Sequence, residues 1–304
     1  MQSILAWSGF FAFIVAMLLL DLGLFQRRTH EISIKESLLL TLFWISLALL
    51  FNVFIYFTRG AHSALEFLAG YLIEESLSMD NIFVFLLIFT FFAVPAQVQR
   101  TVLFWGIVGA IVLRAIFIIA GLTLIHQFHW IIYAFGGLLV WTAIKMISEK
   151  DSKIEPEKNP IIKLFRKWVP VTKEYRANKF FVKENGKLFA TPLFVVLLVV
   201  ETTDLIFAVD SIPAIFAVTL NPFIVYTSNI FAILGLRALY FTLAGMMRKF
   251  EYLKYGLAVI LAFVGVKMLI SEFCRIPIAF ALSIIAGVLT LSVLFSIICP
   301  KKGP

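Results

Sequence analysis

The sequence predicts an all-α fold: a polytopic membrane protein of about nine transmembrane helices, in which two three-helix units form an inverted repeat. Three observations carry that prediction. Hydrophobic residues make up 62% of the 304 and charged residues only 14%, unlike a soluble globular chain. Apolar runs of about twenty residues recur along the whole length, as spanning helices require, while the ten-residue alternating segments of a β-barrel are missing. Two acid-bearing stretches are also versions of one another. Asp80, Ile82 and Phe83 match Asp204, Ile206 and Phe207, and Phe92-Ala93-Val94 matches Phe216-Ala217-Val218, without a gap.

In order, the apolar runs place helices at about 4–24, 36–57, 64–94, 101–124, 130–148, 190–219, 222–247, 253–271 and 277–298. The first is long enough to span and has no basic flank before it, so it reads as a membrane helix and not as a cleavable signal. The third and sixth are longer than a bilayer needs, so tilting or a break is expected. The segment from Glu149 to Phe189 is the one sizeable soluble stretch. It is acidic and proline-bearing at first, then basic, with Ile161 to Val169 a candidate amphipathic surface helix. A solvated linker is the simpler reading of it. The chain thus divides into an N-terminal two-helix segment (1–60), a first three-helix repeat (61–148), a cytoplasmic linker (149–189), a second repeat (190–272) and a C-terminal helix (273–304).

Loop charge fixes the expected orientation. Arg27, Arg28 and Lys35 follow the first helix, Arg100 the third, and eleven Lys or Arg fall between Glu149 and Phe189. Three more follow the seventh helix, and Lys301 and Lys302 close the chain. All fall on one side of a nine-helix count, while Arg59 and Arg275 lie on the other. By the positive-inside rule the N-terminus is outside and the C-terminus cytoplasmic. The net charge of +8 is then a topology signal, and no nucleic-acid partner is expected. Cys274 and Cys299 are too few for a disulfide framework or a thiolate metal site.

The repeat continues into the flanking helices. Arg114-Ala115 is answered by Arg237-Ala238, with Gly121 and Gly245 after them, and Tyr133 with Lys145-Met146 by Tyr255 with Lys267-Met268. Three helices per unit is an odd number, so adjacent copies must cross the bilayer in opposite senses. Transporters built this way carry the substrate site near the midplane, between the repeats.

Intramembrane acids are costly and mark function by default. Glu201 and Asp204, three apart, share a helix face. Asp210 would face elsewhere on a straight helix, but Pro213 cannot donate to the carbonyl of Val209, and a break there would turn Asp210 toward the site. Glu74, Ser78 and Asn81 share a face of the third helix, with Asp80 on its border; Glu75 points elsewhere, nearer a surface. Asp21 ends the first helix as either a further site residue or an interfacial acid. Carboxylates, an amide, the hydroxyls of Ser78, Thr202, Thr203 and Ser211, and freed carbonyls suit a hard divalent cation such as Mg²⁺, Ca²⁺ or Mn²⁺. Met79 is a packing residue first and a soft ligand second. His30, His62, His126 and His129 lie toward the helix ends, away from the acids, which argues against zinc or copper. The 33 phenylalanines read as lipid-facing and packing groups.

These motifs carry a resemblance. Asp21 to Phe25 with Arg27, Arg28 and His30, then Glu74 to Phe85, Thr191-Pro192-Leu193, Glu201 to Ile215, and Ser228-Asn229 through Arg237-Ala238 are similar to the TerC family. Within it the chain most resembles the Alx-type bacterial inner-membrane proteins associated with manganese export. The resemblance covers nearly the whole chain. It implies that Glu74, Asp80, Asn81, Glu201, Asp204 and Asp210 carry the family motif and form the metal site. It also implies Mn²⁺ as the transported substrate, and a multi-pass protein of the cell inner membrane. Neither an organic cofactor nor an enzymatic activity is expected.

Six carboxylates at Glu74, Glu75, Asp80, Glu201, Asp204 and Asp210 face at most two arginines, Arg114 and Arg237. A divalent cation entering that excess of negative charge is expected to displace protons, so proton-coupled exchange is the expected drive. Two other readings remain open. Asp80 and Asp204 on separate helices fit an intramembrane aspartyl protease dyad, although the further acids and the lack of a Gly-x-Gly-Asp motif speak against it. A scaffold or insertion factor for other membrane proteins would not require paired midplane acids.

Overall fold

With lipid outside, backbone polar groups must be satisfied within each segment, which drives so apolar a chain into helices. The computed structural model describes residues 2–25, 34–128, 130–148, 169–172, 174–184, 187–244, 253–271, 273–274 and 276–298. Among them the helices are α1 (Gln2–Phe25), α2 (Ile34–Arg59), α3 (Ala61–Phe91), α4 (Ala96–Gln127), α5 (Ile131–Ser148), α6 (Pro192–Phe216), α7 (Pro222–Ala244), α8 (Leu253–Leu269) and α9 (Ile278–Ile298). Six of these (α2, α4, α5, α6, α7 and α9) are long and apolar enough to cross a membrane. Shorter apolar stretches lie in α1 (Ala6–Leu20) and α8 (Tyr255–Leu269), while α3 carries Glu66, Glu74, Glu75 and Asp80 in its 31 residues. The chain is an all-α, multi-pass membrane protein.

Helix ends fall where backbone chemistry demands. Gly60, at φ 88°, reverses the chain in one residue between α2 and α3, a conformation that suits only a residue without Cβ. After α3, the Val94 N–H donates back to the Phe89 carbonyl at 2.8 Å, Ala93 takes the left-handed conformation at φ 47°, and Pro95 prevents continuation. Pro192 and Pro222 open α6 and α7, where a missing N–H costs nothing. The Asn221 carboxamide oxygen accepts from the Phe223 N–H at 3.1 Å, capping α7.

The helix α7 is central: every residue from Phe223 to Tyr240 is buried. It packs on α2, α3 and α4; α3 and α4 each pack on α6, and α5 packs on α8. An aromatic cluster of Phe10, Phe51, Phe67, Phe223 and Phe231 binds α1, α2 and α3 to α7, with the Phe51 and Phe231 rings 4.7 Å apart. The helices α5 and α8 approach closely at Gly136 and Gly265, where a Cβ on either would press against the other's carbonyl oxygen, at 3.0 and 2.8 Å. Large apolar side chains such as Leu50, Phe57, Ile119 and Ile298 point outward, where lipid replaces water.

One expectation about the connecting loop gives way. Part of it is ordered structure: strands β1 (Phe181–Glu184) and β2 (Lys187–Ala190) form an antiparallel hairpin pairing Phe181 with Ala190. The hairpin is seated on the start of α6, and the segment before it on the end of α3. The Tyr175 hydroxyl donates to the Phe92 carbonyl at 2.8 Å, and the Phe181 ring lies 4.6 Å from Phe194. The sequence signal was Asn185-Gly186, a favoured hairpin pair. The candidate surface helix at 161–169 lies, save for Val169, outside the described residues, as do the acidic start of the loop, His30, His129, Cys299 and the basic clusters at 27–28 and 301–302.

Candidate functional site

The stripe Glu74, Ser78, Asn81 and Phe85 follows the i, i+4, i+7, i+11 pattern of one helix face, and all four are buried in α3. Opposite Glu74 stands Arg114 of α4, itself 1% exposed. Its guanidinium grips Asp204 of α6 with two donors: Nη2 to Oδ1 at 3.0 Å and Nε to Oδ2 at 3.3 Å. The Nη1 group donates to Glu74 Oε1, to Asn229 Oδ1 of α7 at 3.1 Å, and to Ser211 Oγ at 3.4 Å. Asn229 Nδ2 then donates to Glu74 Oε2 at 3.0 Å, closing the ring. Every carboxylate oxygen of Glu74 and Asp204 therefore has a donor. One guanidinium joins α3, α4, α6 and α7.

Beside this clamp lies unmet polarity. Ser78 Oγ, Asn81 Oδ1, Glu75 Oε2 and Glu201 Oε2 are buried with no hydrogen-bond partner, a condition that native interiors rarely tolerate. Glu201 shares the Asp204 face and turns to α4, where Gly109 makes room: a Cβ there would collide with the Glu201 carboxylate. A cavity of about 10 Å³ is lined by Phe85, Gly106, Ala110, Val200, Asp204 and Arg237, room for roughly one water molecule. Asp204 belongs to both the clamp and the cavity wall.

The remaining sequence candidates separate. The helix α6 runs without interruption through Pro213, contrary to the expected break. Pro213 falls in the last turn, where a single lost N–H leaves the ladder before it intact. Asp210 consequently faces α5, where Thr142 donates to its Oδ1 at 2.9 Å. Glu75 is half-buried, more open than Glu74, yet its Oε2 is enclosed and Tyr71 hydrogen-bonds to it from one turn earlier. The side chains of Asp80 and Asp21 lie outside the described residues. The hydroxyls of Thr202 and Thr203 turn back to carbonyls of their own helix. Asn229 had no chemical role assigned from the sequence. Its signal was an amide embedded in the apolar run of α7.

Oxygen atoms of Glu74 from α3 and of Asp204 and Ser211 from α6 thus gather on Arg114, a ligand type suited to a hard cation, while the cavity wall is apolar except for Asp204 and Arg237. Among the described residues, no three His, Cys, Asp or Glu side chains converge as a ligand set. Glu74 and Asp204, which do converge, are held by a guanidinium.

Residues 59–303 match the family described as integral membrane protein TerC family. The chain belongs to the TerC family. A membrane protein of Myxococcus xanthus is 50% identical over 298 residues, covering 98% of this chain and 93% of that one. Alx of Salmonella typhi, named as a membrane-bound redox modulator, is 49% identical over 301 residues, covering 96% and 94%. Alx of Escherichia coli (strain K12) is 49% identical over 297 residues, covering 95% and 92%. No solved structure matches. The TerC match takes in α3 to α9, and so every residue of the Arg114 clamp.

Proposed function

We propose that this TerC family protein is an inner-membrane exporter of divalent metal cations, with Mn²⁺ as substrate and protons moving in exchange. It spans the membrane nine times, with the N-terminus outside and the C-terminus in the cytoplasm. The carrying observation is the pairing of buried carboxylates from α3 and α6, Glu74 and Asp204, beside unpartnered oxygens of Ser78, Asn81 and Glu201. Oxygen atoms left without donors in a buried place call for a cation or for water. The proposed metal site draws on Glu74, Asp80, Asn81, Glu201 and Asp204, with Asp210 as an accessory acid near Thr142.

The packing supports an inverted repeat. In the repeat register α3 corresponds to α6, α4 to α7 and α5 to α8. Exchange of the two units turns the α4–α6 contact into the α7–α3 contact and returns the α5–α8 contact to itself; all are observed. A midplane site between such units is the transporter plan. Calorimetry of Mn²⁺ binding in buffers of different ionisation enthalpy tests the exchange. We expect net proton release; zero release, with affinity flat from about pH 6 to 8, removes proton coupling.

A scaffold role is the second reading, favoured by the clamp itself, since Arg114 already satisfies both acids. Charge-neutralising substitutions that spare abundance and function would support it.

A further inference from the structure

A divalent cation and Arg114 want the same oxygens. Arg114 donates to both oxygens of Asp204 and to Glu74, and Asn229 fills the remaining Glu74 oxygen. With the guanidinium in place, a metal reaching Asp204 would find its oxygens engaged and a positive charge at hydrogen-bond distance. In a low-dielectric interior that repulsion is severe. The oxygens beside the clamp at Ser78, Asn81 and Glu201, by contrast, have no donors.

We propose that Arg114 is a tethered stand-in cation: it occupies the carboxylates when no metal is bound, and yields Asp204 when a metal arrives. The inference rests on the cation-exporter reading above. Its physical content is competition. The metal first meets the unpartnered oxygens of Asn81 and Glu201, then takes Asp204 from the guanidinium, which keeps Glu74 and Asn229. Release reverses the exchange, with Arg114 reclaiming Asp204 and expelling the ion. Glu74 and Asp204 are thereby never left bare when empty, in an interior where each uncompensated charge is costly. Arg114 acts as a positioning residue that sets how tightly the cargo is held and how quickly it leaves.

Competition makes a prediction whose sign is opposite to that of a merely structural role. Removing a structural clamp loosens the site and weakens metal binding. Removing a competitor tightens binding and slows release. The measurement is Mn²⁺ binding to purified full-length protein at about pH 8, where protons compete least, with Mn²⁺ flux in liposomes. Arg114→Gln is expected to lower the Kd by about tenfold or more, and to lower KM and kcat together. Arg114→Lys, which keeps the charge without the two-donor grip, is expected to fall between wild type and Arg114→Gln. The double variant Arg114→Gln/Glu74→Gln removes one charge of each sign and guards against loss of folding; it should bind more tightly than Glu74→Gln alone, which lacks the same ligand and keeps the competitor. Weaker binding by Arg114→Gln than by wild type, and by the double variant than by Glu74→Gln, with wild type binding normally, overturns the competition and leaves the exporter reading standing. A wild type that binds no divalent cation overturns both.

Discussion

Asn229→Ala offers a quantitative test of the clamp, because its amide makes two bonds within it. The carboxamide oxygen accepts from Arg114 at 3.1 Å and the amide nitrogen donates to Glu74 at 3.0 Å. Bonds to charged partners contribute about 1.5–3 kcal/mol each in soluble proteins. Within membranes polar contacts average about 0.6 and reach about 1.7 kcal/mol. Losing both, and leaving a Glu74 oxygen without a donor, should cost about 1–3 kcal/mol. Ser211→Ala is the internal comparison: it loses a 3.4 Å contact to Arg114 and a hydroxyl bond to Glu74, leaves Asn229 in place, and should cost under about 1 kcal/mol. Reversible unfolding in mixed micelles measures both. A Ser211→Ala loss equal to that of Asn229→Ala would refute the geometry, as would an Asn229→Ala protein of wild-type stability.

Three further outcomes follow from other parts of the structure. Gly265→Val should force α5 from α8, because a Cβ there sits 2.8 Å from the Gly136 carbonyl oxygen; about 1–3 kcal/mol should be lost, whereas Gly137→Ala, with open space around it, should be neutral in the same unfolding assay. The Tyr175 phenol is pushed up to about 12 by burial. Its contribution to stability is therefore whole below the ordinary phenol range near 10 and lost as pH rises through about 12; an ultraviolet phenolate titration of Tyr175→Phe against wild type should lack a late-titrating group. In Mn²⁺ flux, Glu74→Gln should do more harm than Glu75→Gln, since only Glu74 touches Arg114; the reverse order would move the site to the Tyr71 side of α3.

The position of each helix along the chain was legible in the sequence, and direction around each helix only partly. Apolar run length located the helices to within about five residues. Helical spacing put Glu74, Ser78 and Asn81 on one face, and all three are buried. Arg114 and Arg237 stood out as matched charges, but nothing in their spacing said that Arg114 would meet Asp204 on α6. That depends on how α4 crosses α6, which small residues such as Gly109 decide. Asp210 was misread for a related reason. A proline breaks a helix only where enough ladder remains beyond it to redirect, and Pro213 lies too near the end of α6. The hairpin was signalled by Asn185-Gly186 and lost among the charges of the loop.

The most direct test of the cation-exporter reading is Mn²⁺ flux into proteoliposomes, with and without an imposed pH gradient, for wild type and Asp204→Asn. Asp204 is the residue at which the clamp, the cavity and the proposed site meet. Wild type should move Mn²⁺ and respond to the gradient, while Asp204→Asn, at equal abundance in the membrane, should move almost none. Equal flux from the two proteins, or none from wild type, would contradict the assignment.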